Sequence, residues 1–208
     1  QISLKFITMR NLILFAAILI AFGAKANITQ LQIGEQAKFT DVKMESATGV
    51  SVSLNDLKAE NGLVVIFSCN TCPYVVAWED RYNAINSWAK SNKVGLAVLN
   101  SNHQKRDGDD SLEAMKKHAS EKSYQFPYLL DSESLIANAI GAQTTPHVFV
   151  FDKNFKLVYK GTIDDNYKDA TAVQHNYLKD VVQSLSSGKS PAVAETKPMG
   201  CGIKRKVN

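Results

Sequence analysis

Cysteine is scarce in this chain, with three residues at positions 69, 72 and 201 among 208. That scarcity excludes a disulfide-rich scaffold. The sequence also argues against a structural zinc site, because neither a second Cys-x-x-Cys nor a His-x-x-x-His accompanies the first pair. No cofactor is expected. Long apolar runs are also missing: Leu12 to Phe22 falls well under the ~18 residues of a spanning helix. The 11 glycines and 5 prolines form no repeat and no low-complexity block, which rules out a fibrous chain. Nor is there a strong excess of one charge. Lys5, Arg10 and Lys25 account for three of the four surplus positive charges, and no later stretch interleaves basic with aromatic residues. Nucleic acid is therefore excluded as a partner.

What the N-terminus does contain is a leader pattern. Met9-Arg10-Asn11 forms a short basic region, the apolar run follows, and Ala24-Lys25-Ala26 supplies a small-x-small cleavage site. The pattern predicts a signal peptide over residues 1–26 with its start at Met9, and a mature chain from about Asn27. The mature chain is expected to be periplasmic or secreted, with no membrane span. No cysteine lies close behind the leader, which argues against a lipid anchor. The rest is long enough for one domain, over 27–188, with a Pro- and Lys-containing tail over 189–208.

The chemistry concentrates where Val64-Val65-Ile66-Phe67-Ser68 meets Cys69-Asn70-Thr71-Cys72-Pro73. The β-branched run reads as a buried strand. Val75, Trp78, Tyr82, Ile85 and Ala89 then share one face of a helix predicted to run from Pro73 to about Ser91. Glu79, Asp80, Arg81, Asn83 and Asn86 fall on its polar face. Two cysteines thus sit at a helix N-terminus, where free amides and the helix dipole favour thiolate, here expected on Cys69. In an exported protein such a pair could be a plain staple, yet a disulfide across two residues closes too small a loop to constrain the unfolded chain. Disulfide exchange is the chemistry that the spacing suits.

Along the chain, Gln36–Met44 and Val50–Leu54 read as a hairpin, the latter because Val50, Val52 and Leu54 alternate with serines. Lys93–Leu99 reads as a buried strand. Asn100–Asp110 reads as a solvated loop, and Asp110 with Glu113 as a capping box for a helix reaching Lys122. A short strand at Pro127–Leu130, a helix at 133–140, a strand from Pro146 and its antiparallel partner Lys156–Lys160 follow. Asp169 is expected to open the last helix, which Gly188 ends. Helical crossovers first and a hairpin late imply a mixed sheet covered on both faces.

This layout resembles the thioredoxin-like fold: a three-layer α/β/α sandwich with a mixed central sheet, here with an extra N-terminal β-hairpin. The resemblance rests on Cys69-Asn70-Thr71-Cys72 between strand and helix and on Thr145-Pro146 heading a later strand. Further segments are similar to the redoxin family, of the peroxiredoxin (AhpC/TSA) and TlpA type. They include Cys72-Pro73-Tyr74-Val75, Phe126-Pro127-Tyr128-Leu129, Gly161-Thr162-Ile163-Asp164-Asp165-Asn166 and the closing Gly200-Cys201-Gly202-Ile203-Lys204. The resemblance implies Cys69 as nucleophile and Cys72 as resolving thiol. It implies main-chain hydrogen bonds from Thr145 to a bound peptide, and Pro146 in cis shielding the thiols from metal. Partners would be protein thiols or disulfides and a thiol electron donor or acceptor. Ser68 stands where thioredoxin has Trp, and no acid lies in Val64–Phe67 to take the proton of Cys72. Gly62 and Ile66 replace the Pro and Thr of the peroxiredoxin Pro-x-x-x-Thr-x-x-Cys pattern.

Three residues have two readings each at this stage. Cys201 is either a third redox thiol or part of a tail pinned by packing. His147 is either a copper ligand beside the cysteines or a partly exposed strand-start histidine. Asp164 is either a turn residue or a partner contact. The main expectation is an exported thiol–disulfide oxidoreductase; a copper-binding delivery or sensing module and a thiol peroxidase are the alternatives.

Overall fold

A computed structural model describes residues 28–206, so the expected signal peptide lies outside the described residues. The elements are β1 (Met44–Glu45), β2 (Ser51–Val52), α1 (Leu54–Leu57), β3 (Gly62–Ser68), α2 (Pro73–Trp78), α3 (Tyr82–Ser91), β4 (Val94–Asn100), α4 (Leu112–Glu121), β5 (Tyr128–Leu130), α5 (Leu135–Ile140), β6 (Thr144–Thr145), β7 (His147–Asp152), β8 (Leu157–Gly161), α6 (Tyr177–Ser186) and β9 (Cys201–Gly202). The central sheet runs β5-β4-β3-β7-β8, with β3, β4 and β5 parallel and β7 and β8 antiparallel. This is the expected three-layer, thioredoxin-like arrangement with a mixed sheet, and the small β1–β2 hairpin is the expected addition.

Alternation along β3 builds both cores. Val64 and Ile66 join Val98, Val148 and Val150 beneath α3 and α6, which contribute Tyr82, Ile85, Ala89, Leu178, Val181 and Val182. Leu63, Val65 and Phe67 point the other way, with Ala97, Leu99, Phe149 and Phe151, against Leu54 of α1 and Ile136, Ala137 and Ile140 of α5. Each fully buried Leu, Ile or Phe contributes about 1.5–3 kcal/mol, so a strand buried on both faces is the firmest base the chain has for its cysteines.

Several expected elements differ from those observed. The second hairpin strand stops at Val52, because Ser53 and Asp56 form a capping box that opens α1: Ser53 N–H donates to Asp56 Oδ2 at 2.7 Å and Asp56 N–H to Ser53 Oγ at 3.2 Å. Val50, expected inside, is exposed. The helix after Pro73 is not continuous, tightening into a 3₁₀ turn at Glu79–Arg81. There Arg81 reaches Asp164 Oδ2 at 2.5 Å, and Trp78 Nε1 donates to Asp164 Oδ1 at 2.9 Å, so Asp164, which holds the expected turn through the Asn166 amide at 3.0 Å, is also a buried clamp. Glu79, placed by periodicity on the solvent face, is buried against His118 (2.7 Å) and Lys122 (2.7 Å). Ser111, not Asp110, caps α4, through the Ala114 amide. Asp169 caps only a 3₁₀ turn, and α6 begins at Tyr177.

Over its described residues the tail docks against the domain. Ala194–Thr196 runs beside β8, with Lys160 N–H donating to Ala194 O at 3.1 Å and Thr196 N–H to Lys160 O at 3.0 Å. At Gly161 (φ +148°) a Cβ would meet Thr196 Oγ1 at 2.1 Å, so the close pass requires glycine. Residues 34–37 complete the same edge through Gly34 N–H to Leu157 O and Leu157 N–H to Glu35 O, both 2.8 Å. At the opposite edge, Ala47 N–H donates to Tyr128 O of β5 at 2.8 Å. Among the described residues, no helix is long and apolar enough to cross a membrane.

Candidate active site

Cys69 leaves the end of β3, next to the register pairs Phe67↔His147 and Ser68↔Asn100. Cys72 is the N-cap of α2 and Pro73 its first residue, where a missing amide hydrogen costs nothing. The Thr145–Pro146 bond is cis, and Thr145 is buried against both sulfurs. Its Oγ1 lies 3.3 Å from Cys69 Sγ, and its carbonyl lies 3.0 Å from Cys72 Sγ, which donates to it in the thiol form. The third cysteine joins them: Cys201 Sγ stands 2.6 Å from Cys72 Sγ, all three being free thiols. So the structure brings Cys69, Cys72, Thr145, Pro146 and Cys201 into one cluster. The tail is pinned, and its sulfur lies at the pair.

Pinning comes from the backbone. β9 pairs antiparallel with β6, in the register Thr144↔Gly202 and Thr145↔Cys201. Ile203 N–H donates to Gln143 O at 3.0 Å, and Lys204 N–H to Asn102 Oδ1 at 2.8 Å. Gly200 lies so close to the cis segment that a Cβ would fall 2.3 Å from Thr145 O. Cys69 and Cys72 are 2% and 4% exposed, whereas Cys201 is only partly buried and is the outermost of the three.

The surroundings push the three thiols in different directions. The Cys69 thiol donates to Cys72 and so holds the Cys72 pKa down to about 4 against burial, with the Cys201 thiol and the amides of Val75 and Cys201 adding to it. The same contact with Cys72, then burial, pushes Cys69 well above its ordinary value. Burial and the neighbouring Cys72 raise Cys201 to about 11. This corrects the expectation of thiolate on Cys69: Cys72 is the N-cap of α2, and Cys69 takes the Cys72 amide, which lowers its pKa but is outweighed by the Cys72 side chain and by burial.

A polar network behind the pair is absent from the sequence reading. Asp110, expected at the surface, is fully buried and accepts from Asn70 N–H (2.9 Å), Asn100 Nδ2 (2.7 Å) and Asn102 Nδ2 (2.9 Å). Tyr128 Oη donates to Asn70 Oδ1 at 2.7 Å. Asn70, between the cysteines, is thereby held from main chain and side chain, and the negative Asp110 adds to the rise in Cys69. The available signal was Asn100-Ser101-Asn102 directly after a strand of apolar residues, where the backbone has not yet left the core.

His147 does not join the sulfurs. It is fully buried, its Nδ1 accepts from Gln143 N–H at 3.1 Å, and its ring packs 4.5 Å from Phe149. It lines a cavity of about 370 Å³ with Lys160, Glu195 and Thr196. Among the described residues no three His, Cys, Asp or Glu side chains are grouped to hold a metal ion, so the Cys69–Cys72–His147 copper constellation is not formed.

Comparison with known proteins is decisive for the family. Residues 33–175 match the family profile described as Redoxin. The chain belongs to the redoxin family. Two solved structures resemble this redoxin over most of its length. An uncharacterized conserved protein from Geobacillus kaustophilus is 30% identical over 86% of this chain and 95% of its own, with a TM-score of 0.79. A hypothetical protein from Sinorhizobium meliloti is 27% identical over 86% and 98%, with a TM-score of 0.78. A secreted Mycobacterium tuberculosis disulfide oxidoreductase homologous to E. coli DsbE shares the fold, at 13% identity over 72% and 96% with a TM-score of 0.51. A search of curated proteins found no match.

Proposed function

We propose that this redoxin is an exported thiol–disulfide oxidoreductase that exchanges disulfides with protein thiols through Cys69 and Cys72. Residues 1–26 serve as its signal peptide, and the mature chain works in the periplasm or outside the cell. The observation that carries the reading is the two sulfurs at the start of α2, packed directly against the cis Thr145–Pro146 segment. The secreted disulfide oxidoreductase that shares the fold supports it. Two electrons leave the pair as its own disulfide closes, and thiol–disulfide exchange carries them to the outside disulfide. Thr145 and Pro146 line the sulfurs, and an outside dithiol or disulfide resets the pair.

Insulin reduction with dithiothreitol as donor tests this. Cys69→Ser and Cys72→Ser are each expected to abolish multiple turnover, whereas wild type sustains it. Equal turnover in either variant, or consumption of hydrogen peroxide in preference to insulin, would overturn the assignment. The reduction potential of the pair, placed within the span of about −270 to −120 mV covered by such proteins, fixes the direction of electron flow.

A further inference from the structure

Two observations conflict with direct attack on Cys69 by a large substrate. Both cysteines of the pair are nearly sealed, at 2% and 4% exposure. And the β6 edge, the main-chain bed for a substrate, is already filled by β9. The strand that fills it carries a cysteine at the register position of Thr145, with its sulfur 2.6 Å from Cys72. In other words, the tail lies in the groove as a substrate would, and its cysteine occupies the place of a substrate cysteine.

We infer that Cys201 is the entry thiol of a three-sulfur relay, through which outside protein disulfides reach the buried pair. This rests on the exchange function proposed above and names the residue that meets the substrate. The steps balance as follows. Cys201, as thiolate, attacks one sulfur of the outside disulfide; a Cys201–substrate bond forms and the other substrate sulfur leaves, taking up the proton that Cys201 gave up. Cys72 thiolate then attacks Cys201 Sγ, closing a Cys72–Cys201 disulfide and releasing the second substrate sulfur as a thiolate, which takes a proton from water. Cys69 next loses its proton and attacks Cys72 Sγ, closing Cys69–Cys72 and returning Cys201 as a thiol with that proton. Two electrons pass from the enzyme to the substrate, and an outside dithiol restores the pair.

The geometry fits this order. Cys72 is the middle sulfur, in contact with both of the others, and is the one stabilised as thiolate. Gly200 lets the tail approach the cis segment closely enough for the contact, and Ile203 and Lys204 hold it from the other side through Gln143 and Asn102.

The test is to trap and map the substrate adduct. Reduced Cys72→Ser is mixed with insulin, quenched with N-ethylmaleimide and mapped by peptide mass spectrometry. The expected adduct is insulin on Cys201, with Cys69 alkylated. In parallel, Cys201→Ser, checked for its fold by circular dichroism, is expected to reduce insulin about tenfold more slowly or worse, since exchange requires access to sulfur. Brief alkylation of Cys201 in the native wild-type chain gives the same reading without a variant. Insulin trapped on Cys69 with Cys201 alkylated would overturn the relay while leaving the exchange function intact. So would an unchanged or faster rate in Cys201→Ser, which would make the tail a plug. Inertness of the wild type toward insulin and dithiothreitol alike would overturn the exchange function and the relay together.

Discussion

His147 follows the cis proline, and its surroundings give it a measurable role. Burial, with the Lys160 and Arg205 charges, brings its pKa from 6.5 down to about 3. The folded chain therefore holds it neutral while the unfolded chain takes up a proton below about pH 6.5. Stability from this source is complete above pH 6.5 and drains away as the pH falls toward 3. Urea unfolding across pH 4.5–7.5 (about that span) is expected to show His147→Gln losing less stability on acidification than wild type. Parallel curves for the two proteins would show that the histidine titrates normally. The cysteine pair and Thr145-Pro146 were legible as residues because spacing and strand position mark them. Asp110 and Glu79 were not. Both are charged residues in polar stretches, and only partners distant in sequence, Asn70 for one and His118 and Lys122 for the other, make burial affordable.

Among the elements, α1 shows where pattern reading gives way. Alternation at Val50, Val52 and Leu54 argued for a strand, but the Ser53–Asp56 box supplies hydrogen bonds that a strand could not, and Leu54 reaches the core from a helix instead. Ser53→Ala is expected to cost about 0.5–2 kcal/mol in denaturant unfolding. It should leave the cysteine chemistry unchanged, because α1 does not touch the sulfur cluster. An effect on thiol alkylation rates but not on stability would contradict this account. The α2–α3 break was illegible for a related reason. The apolar face continues through it in sequence, and what tightens the turn is Asp164, more than eighty residues away.

Over the whole molecule, the order of strands and crossovers was readable, since β3 and β4 are continuous apolar runs and their connections are helical in length. The tail was not, because it docks by backbone pairing and through residues such as Thr196, whose Oγ1 lies 2.7 Å from Tyr159 Oη, not by an apolar period. Deleting residues 195–206 is expected to lower Tm by roughly 5–10 °C, from loss of Ile203 burial and the Thr196 contacts. It should also speed alkylation of Cys69 and Cys72; thermal scans and timed iodoacetamide labelling check both. An unshifted Tm would mean that the tail only rests on the domain.

The two outer strands of the central sheet have a shared consequence. Gly34–Ala37 and Ala194–Thr196 pair along β8, while Ala47 pairs with β5. Neither rim presents a continuous row of open amides to which a neighbouring molecule could add a strand. A chain crowded among its own copies is thereby guarded against ribbon-like self-assembly, and the guard is made of connecting segments, with no dedicated helix spent on it.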